Sequence, residues 1–435
     1  MKKIRSVILG YGDRSSRYAA YALENPEELE IVGVIDISEY KRKQAQERFS
    51  LPDSCVYSSL DAFLEDNVQA DVVINGTMDE IHYLTTMPLL KKGYNVLLEK
   101  PITADIEELL ALQTEAEKNS CKVVVCHVLR YTPYYSSIKQ ILESGKLGKI
   151  MDMQFNEHVW HGHFVNSYVR GKWRSEKVCG SGLLLAKSCH DTDLMCWLNN
   201  VTVPVKVSSF GSRSFFTERN APEGATQYCY ECPHKEKCMF DAYKFEYQKD
   251  FIPFYTWLGL NKPLDEISDE EKIEFLKKDV YGQCVYKTDM DIVDRQCVSV
   301  EFENGSIATL HVVGGASKAG RHLHIVCEYG EIVGYIEDNK YIVRTFDKKE
   351  VHCNDEIVDF NQTDEHLEEA ENAVAGHYGG DYYIMRDLVR FLCNEPTSVS
   401  TTVLNDSVNS HLICYAAEKA RKENVVVDLR DILKK

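Results

Sequence analysis

Two glycines separated by one tyrosine lie close to the amino terminus, and their type and spacing suggest phosphate binding. The segment comprises Gly10, Tyr11, Gly12, Asp13, Arg14 and Ser15. The glycines permit a tight turn and a close backbone approach to a pyrophosphate, and the helix that follows offers amide donors to its oxygens. Asp36, 24 residues beyond Gly12, is spaced to accept a hydrogen bond from a ribose 2′-hydroxyl and to repel a 2′-phosphate. The spacing therefore favours NAD(H) over NADP(H).

Polar residues also follow two later apolar segments in the first third of the chain. They are Thr77, His82, Glu99 and Lys100. If those segments are parallel strands, their carboxyl ends meet at the edge where open α/β sheets bind ligands. We therefore expect these four residues at the cofactor, with the Lys100 ammonium donating to a substrate hydroxyl or carbonyl beside the nicotinamide.

Aromatic and basic side chains are concentrated in residues 158–174, which hold three histidines, two tryptophans and two arginines. The predicted substrate contacts in this segment are Trp160, His163, Arg170 and Trp173. Aromatic rings offer apolar faces to a sugar ring, while arginine and histidine donate to hydroxyls or to an anionic substituent. His161 and His163 could instead bind a metal from one face of a strand, but no third ligand is placed beside them, which favours a substrate-binding loop.

Closely spaced cysteines form a separate motif within a polar insertion at about 210–285. The four candidate metal ligands are Cys229, Cys232, Cys238 and Cys284. Thiols at such spacing in a reducing compartment are typical metal ligands, and four sulfurs with no open coordination position predict structural zinc. His234 and Cys179 are alternatives to Cys284 as the fourth ligand. A four-iron cluster uses the same ligand type, and free thiols without a metal are the remaining alternative.

Short apolar runs alternate with helix-like stretches over the first third of the chain, which predicts βα units and a doubly wound parallel sheet. One helix is expected to begin at Asp105, with Glu108 three residues later. Strand-like runs at 296–302, 306–313, 322–327 and 341–345 suit an antiparallel or mixed sheet. Further helices are expected near 266–278, after Gly379-Gly380-Asp381 and over about 404–422, and the acidic run at 363–371 predicts a solvated face.

Length and composition exclude several classes of protein. The 435 residues suit two or three domains, and a composition of 44% apolar and 27% charged residues excludes bulk disorder. With 50 basic and 68 acidic residues the net charge is −18, which argues against nucleic acid and anionic membranes as partners. No apolar run is long enough to span a bilayer, and no export signal is recognisable. Fifteen cysteines then indicate a reducing compartment, most simply the cytoplasm.

These motifs resemble the oxidoreductase family typified by glucose–fructose oxidoreductase and inositol dehydrogenase. The matching segments are GYGDRS (10–15), TMDEIH (77–82), EKP (99–101), HVLRYTP (127–133), GKLGKI (145–150) and CHDTDLMCWL (189–198). The resemblance implies an NAD-binding Rossmann domain at 1–128 and an α/β domain at 129–435. In that second domain, a large open, mainly antiparallel sheet would form the substrate floor and the contact within a homo-oligomer, a dimer or tetramer.

The resemblance also implies the catalytic residues. The family joins the lysine of Glu-Lys-Pro to an Asp-x-x-x-His pattern at a helix start, which here points to Lys100 and His190. Ala186 stands where the family has the aspartate. The neighbouring Lys187, if it faces the pocket, would lower the pKa of His190 by like-charge repulsion. The polar residues expected around the substrate in these matching segments are His127, Arg130 and Asp191.

The resulting prediction is an NAD-dependent oxidoreductase that moves hydride between nicotinamide and a ring hydroxyl or ketone of a sugar, cyclitol or sugar derivative. His190 would accept the hydroxyl proton and Lys100 would stabilise the developing alkoxide. One alternative is a glycoside-cleaving enzyme that oxidises the sugar transiently at C3 and eliminates the aglycone. Another is a sugar or NAD sensor without chemistry, although retention of both Lys100 and His190 argues against it.

Overall fold

Two β-sheets organise the chain in the computed structural model, which describes residues 2–247, 254–346, 353–362 and 377–432. The first sheet has six parallel strands in the order β3-β2-β1-β4-β5-β6. Its strands are β1 (Ile4–Leu9), β2 (Leu29–Ile35), β3 (Val56–Tyr57), β4 (Val72–Asn75), β5 (Asn95–Leu98) and β6 (Val123–Val125). The strand order reverses between β1 and β4, and a doubly wound sheet binds its ligand in the crevice at such a switch point.

Helices cover both faces of this sheet, as continuous apolar strands require. They are α1 (Asp13–Glu24), α2 (Glu39–Phe49), α3 (Leu60–Glu65), α4 (His82–Lys91) and α5 (Ile106–Lys118), and the next helix, α6 (Pro133–Glu143), packs against Tyr341 of the second sheet. Asp105 caps α5 by accepting hydrogen bonds from the amides of Glu107 and Glu108. The expected helix start at Asp105 is therefore confirmed.

The second sheet has nine strands in the order β14-β13-β12-β11-β7-β10-β9-β8-β15. The strands are β7 (Ile150–Trp160), β8 (Pro204–Ser212), β9 (Arg295–Phe302), β10 (Ile307–Ala316), β11 (Gly320–Cys327), β12 (Gly330–Tyr335), β13 (Lys340–Phe346), β14 (Cys353–Asp359) and β15 (Val427–Asp428). Among these pairs only β7 and β10 run parallel. The expected Rossmann sheet followed by a mainly antiparallel sheet is confirmed.

The remaining helices lie between strands of the second sheet or follow its last strand in the chain. They are α7 (His161–Phe164), α8 (Glu176–Cys179), α9 (Cys189–Leu198), α10 (Ala242–Tyr247), α11 (Phe254–Trp257), α12 (Asp269–Leu276), α13 (Gly380–Leu392), α14 (Leu404–Glu423) and α15 (Leu429–Ile432). Although it is distant in sequence, α13 contributes Ile384 and Leu388 to an apolar cluster with β1 and β2. A helix from the carboxyl-terminal part of the chain thus packs against the six-stranded sheet.

The elements predicted from local patterns lie within a few residues of their observed bounds, but the patterns did not identify β3, β7, β8, β12, β14 or β15. The acidic run at 363–371 lies outside the described residues. Within the described ranges, no helix combines the length and apolarity that crossing a membrane demands.

Candidate active site

Gly10, in the predicted nucleotide loop of residues 10–15, is held by contacts that exclude a side chain. Gly10 has a φ of +79°, and a Cβ there would lie 3.0 Å from the carbonyl oxygen of Gly76. A Cβ on Gly76 would in turn lie 2.9 Å from Cβ of Ser15. The Gly12 amide donates to Ser15 Oγ over 3.0 Å, and α1 begins one residue later. The result is a tight turn leading into a helix N-terminus, which fits a pyrophosphate.

Asp36 ends β2 beside this turn, with a side chain that is largely buried. Its two carboxylate oxygens accept hydrogen bonds of 2.8 Å from the backbone amides of Tyr11 and Ser38. A carboxylate has about four acceptor positions, so the oriented group retains capacity for ribose hydroxyls. The expected ribose-binding position is thus preserved.

Arg14 braces the nucleotide loop against two other segments. Its guanidinium donates to Glu99 Oε1 over 3.1 Å, to Asp381 Oδ2 over 2.9 Å and to the Tyr18 hydroxyl over 2.6 Å. Burial raises the pKa of Glu99, but the charges of Arg14 and Lys100 outweigh it and hold that pKa below its usual value. Two carboxylates therefore balance Arg14 and fix the loop, and the expected contact of Arg14 with the cofactor stays a prediction.

His82 has a supporting role as well. Its side chain is fully buried, with Nδ1 2.6 Å from the carbonyl oxygen of Pro101 and Nε2 3.1 Å from that of Thr77. The expected cofactor contact of His82 is therefore corrected, since the ring fixes backbone instead. Thr77, another predicted cofactor residue, is half-buried beside Gly10. Asp13, in the nucleotide loop, accepts a hydrogen bond at Oδ1 from Arg17 Nε over 3.1 Å.

Lys100 follows β5 at the carboxyl edge of the first sheet, and its charge reaches His190. Lys100 Nζ donates to the backbone carbonyl oxygen of Ala186 over 2.8 Å. Ala186 belongs to a π-helical segment, Leu184–Ser188, which leads directly into α9 and His190. Such π-helical turns are frequent at functional sites because they redirect neighbouring side chains. A backbone carbonyl thus holds the lysine at the very position where the expected carboxylate is missing.

The His190 imidazole is poised to accept a proton. Only 7% of the residue is exposed, and Nδ1 has no hydrogen-bond partner among the described residues. Burial lowers the pKa of His190 well below its usual value, and the charges of Lys100 and Arg321 lower it further. The ring is therefore neutral at pH 7, as a general base must be.

Four charged side chains form a network next to His190, two of them buried and two partly buried. They are Glu157, Lys187, Asp191 and Arg321. Glu157 on β7 pairs directly with Arg321 on β11, and Arg321 Nε lies 2.6 Å from Glu157 Oε2. The same Nε lies 2.9 Å from Asp191 Oδ1. Burial raises the pKa of Asp191 to about 6, with Glu157 reinforcing the rise and Arg321 opposing it. Asp191 is thus a site residue, as expected.

The predicted action of Lys187 on His190 needs correction. Lys187 Nζ lies 3.3 Å from Glu157 Oε1, so its charge is paired. The main charges that lower the pKa of His190 are those of Lys100, His127, Arg321 and His377. Burial lowers the pKa of His163 well below its usual value, and Lys187 lowers that pKa further. Lys187 thus acts on His163, which the structure places at the site as expected.

The tryptophans of the aromatic segment are held by protein contacts. Trp173 Nε1 donates to Asp79 Oδ2 over 3.0 Å, and its ring stacks on Tyr168 at 5.9 Å between centroids. Trp160 packs edge-to-face on His161, with centroids 5.1 Å apart. Because residues 161–164 form the helical turn α7, the two histidines of this segment do not share the face of a strand.

Two other predicted substrate residues lie behind the site. Arg130 is buried and donates from Nε to Asp193 Oδ2 over 2.6 Å. His127 is also buried, and its ring centroid lies 5.6 Å from that of His190 and 5.6 Å from that of His411. Their expected substrate contacts are corrected to support of α9 and of His190 from within the core.

The four predicted cysteine ligands line one cavity of about 20 Å³. The buried Arg170 reaches this cavity and donates from Nη2 to Cys229 Sγ over 3.4 Å, which corrects its predicted place at the substrate. His234 and Cys179 bond elsewhere, to the carbonyl oxygens of Glu223 and Ser175. Across the described ranges, no three His, Cys, Asp or Glu side chains already stand as a metal-ligand set, so the structure by itself does not support the zinc prediction.

Sequence reasoning missed Glu157, Arg321 and His377. Glu157 is the single charged residue among the buried, alternating positions of β7, which include Met153, Phe155 and Val159. A strand prediction for 150–160 would have revealed an acid on the inner face. Arg321 lies in a predicted strand region without a comparable local signal.

Profile comparisons match the two sheets to known domains. Residues 4–127 match the oxidoreductase family with an NAD-binding Rossmann fold, and residues 135–230 match the GFO/IDH/MocA C-terminal domain. The chain is 24% identical over 378 residues to YteT of Bacillus subtilis (strain 168), named as an oxidoreductase, covering 84% of this chain and 83% of YteT. It is 27% identical over 190 residues to the scyllo-inositol 2-dehydrogenase (NADP(+)) IolW of the same organism, covering 44% of this chain and 50% of IolW.

Solved structures share the fold over nearly the whole chain. A levoglucosan dehydrogenase in complex with NADH and L-sorbose has a TM-score of 0.70 at 16% identity, covering 99% of each chain. The WlbA dehydrogenase of Bordetella pertussis, in complex with NADH and UDP-GlcNAcA, has a TM-score of 0.65 at 14% identity, covering 98% of each chain.

Proposed function

The chain belongs to the GFO/IDH/MocA family of NAD-binding oxidoreductases, and we propose that it is an NAD-dependent dehydrogenase acting on a ring hydroxyl of a sugar, cyclitol or sugar derivative. The observation that carries the proposal is that Lys100, held by the carbonyl oxygen of Ala186, lies within electrostatic reach of His190, whose Nδ1 has no hydrogen-bond partner among the described residues. The polyol substrates in the names of IolW and levoglucosan dehydrogenase support the same substrate class.

The two residues divide the work of alcohol oxidation. NAD, when bound, supplies the hydride acceptor. His190 accepts the hydroxyl proton, because its lowered pKa keeps the imidazole unprotonated at neutral pH. Lys100 donates to the same oxygen and stabilises the negative charge that develops there, while the Ala186 carbonyl fixes the ammonium. In the reverse direction, protonated His190 returns the proton to the ketone oxygen.

The charged network beside His190 suits a substrate rich in hydroxyls. Asp191 Oδ2 and Arg321 Nη2 are buried, and neither has a hydrogen-bond partner among the described residues. A carboxylate oxygen and a guanidinium N–H of this kind offer an acceptor and a donor to neighbouring hydroxyls. Asp191 and Arg321 would therefore orient the ring.

The proposal favours NAD(H) over NADP(H). Asp36 is anionic at the ribose end of the loop and is fixed by two backbone amides. A 2′-phosphate would be repelled there, whereas a 2′-hydroxyl would donate a hydrogen bond. The chain would differ in this respect from IolW, whose name specifies NADP(+).

We also propose a homo-oligomer, a dimer or tetramer, that associates through the second sheet in the cytoplasm. Large apolar side chains on the outer face of this sheet are exposed, among them Phe210, Ile307 and Val313. Exposed apolar side chains on this face would be covered in such a contact. All fifteen cysteines are free thiols, in keeping with a reducing compartment. Light scattering of the purified protein measures the subunit number.

The proposal is tested by incubating the protein with NAD and a panel of sugars, cyclitols and glycosides, while following NADH and product masses. Net NADH with a ketone product supports it. Aglycone release without net NADH would support the glycoside-cleaving alternative, and bound NAD without any turnover would support a sensor.

His190→Ala should lower turnover by roughly 10²–10⁴-fold with NADH binding intact. His158→Ala is the matched control, because side chains alternate along a strand and His158 therefore lies on the face of β7 opposite to Glu157. Equal losses in the two variants would refute the assignment of the base.

A further inference from the structure

The insertion between β8 and β9 brings four cysteines together that are distant in sequence. Three of them, Cys229, Cys232 and Cys238, lie on a short stretch of turns, whereas Cys284 follows Cys238 by 46 residues. All four line the same cavity, and Cys229 and Cys284 are buried. Tertiary structure, rather than spacing alone, therefore selects the fourth thiol.

A buried arginine points to negative charge at this cavity. Arg170 is fully buried, and within the described part of the chain it has no carboxylate partner and its Nη1 has no hydrogen-bond partner. Its other nitrogens donate to the carbonyl oxygens of Gln283 and Phe240 and to Cys229 Sγ. A guanidinium is always charged, and a buried charge without an opposite charge is strongly unfavourable. The buried Asp241, which lines the cavity and interacts with the charge of Arg170, supplies part of that charge, and thiolates at the cavity would supply more.

The same arginine connects the segments that carry the thiols. Gln283 precedes Cys284, Phe240 lies two residues after Cys238, and Cys229 itself accepts from the guanidinium. Hydrogen bonds of this kind orient metal-bound ligands and adjust their affinity. Arg170 is therefore a positioning residue at this cavity.

We propose that Cys229, Cys232, Cys238 and Cys284 bind one structural zinc ion. Four thiols give up four protons and form four Zn–S bonds, and Arg170 offsets part of the resulting negative charge. The cavity of about 20 Å³ has room for roughly one water-sized sphere, which suits a single ion rather than a four-iron cluster. Neutral thiols do not attract one another, so the ion draws them into the ligand set that the structure does not show preformed.

The proposed role of the ion is to close the insertion. Because the site exists only in the folded chain, the free energy of metal binding adds to the stability of the folded insertion. No residue assigned to hydride transfer takes part, so the metal site and the proposed dehydrogenase activity can fail independently.

The experiment measures zinc and iron in the full chain, purified under reducing conditions without chelator. The expected result is about one zinc per chain and no stoichiometric iron. Cobalt(II) added to zinc-depleted protein should give the thiolate charge-transfer and tetrahedral d–d bands of a sulfur-ligated ion. Absence of both metals, iron with acid-labile sulfide, or cobalt without these bands would overturn the proposal.

Variants assign the ligands. Cys232→Ser should lose the zinc, whereas Cys297→Ser, in the half-buried face of β9, should retain it. Circular dichroism and NADH binding show that the Cys232→Ser chain remains folded. Arg170→Met should weaken zinc affinity about 10–100-fold, and Arg174→Met, which breaks an ion pair with the exposed Asp289, should leave affinity unchanged. Full zinc content in Cys232→Ser, or equal affinities in the two arginine variants, would overturn the proposal.

Discussion

Arg321→Met tests the charged network at its centre. Arg321 Nε lies 2.6 Å from Glu157 and 2.9 Å from Asp191, and both carboxylates are buried. The methionine fills part of the space but leaves two carboxylates with Lys187 alone. Removing one partner from a buried ion pair typically costs about 3–5 kcal/mol, a large share of a typical unfolding free energy of about 5–15 kcal/mol.

The expected loss depends on pH, and the sign follows from Asp191. Its pKa is about 6 in the folded protein, above its ordinary value of 3.8, so its contribution to stability falls as pH rises between these two values. Arg321 opposes that rise, so its removal raises the folded pKa of Asp191 further. The contribution of Asp191 to the free energy of unfolding then continues to fall up to a higher pH, by about 1.4 kcal/mol for each additional pKa unit. The variant should therefore be closest to wild type near pH 4 and most destabilised near pH 8.

Arg321→Met should also change the enzyme activity, which gives a test independent of stability. Arg321 lowers the pKa of His190, so its loss raises that pKa and moves the acidic limb of the pH–rate profile to higher pH. Asp191 and the lost guanidinium also orient substrate in our proposal, so KM should rise.

Urea unfolding at pH 5 and pH 8, together with a pH–rate profile, measures these effects. Arg344→Met is the matched control, because Arg344 on β13 pairs with Glu331 and Asp355 at the surface and its loss should change neither quantity. If Arg321→Met unfolds no more readily than Arg344→Met, or destabilises equally at both pH values, the reasoning about a buried network is refuted.

Three further substitutions separate cofactor binding from catalysis. Gly10→Ala should weaken NADH binding at least about tenfold, because its Cβ would meet the Gly76 carbonyl at 3.0 Å. Gly93→Ala, at a φ of +83° in open space, is the control and should lose stability but keep NADH affinity. Equal NADH affinities of the two variants in fluorescence titration would contradict the role of Gly10 in the nucleotide loop. Asp36→Ala should narrow the preference for NADH over NADPH by roughly tenfold, the worth of one hydrogen bond and its accompanying repulsion, and an unchanged ratio of dissociation constants would remove Asp36 from the ribose site. Lys187→Met should lower stability in thermal unfolding yet leave the pH–rate profile in place, since its charge is paired with Glu157, and a shift to higher pH would restore its direct action on His190.

Local sequence determined the nucleotide-binding half of this protein. The glycine turn, the apolar strands and the helix cap at Asp105 depend on contacts between near neighbours, so their patterns are readable without a fold. Lys100 and His190 were predicted as catalytic residues because short motifs around them resemble those of the family. The correct expectation that Asp36 lies beside the turn followed from the fixed length of a βα unit.

Tertiary structure alone decided which charges meet around His190 and which predicted residues leave it. Glu157 and Arg321 are 164 residues apart and become neighbours only through the register of β7 with β11. The sequence predicted Arg130 as a substrate contact, but in the structure its side chain is buried and donates to Asp193. The physical reason is that burial makes an ion pair obligatory without specifying which distant element supplies the partner. That partner is set by strand order and register, which no local pattern encodes.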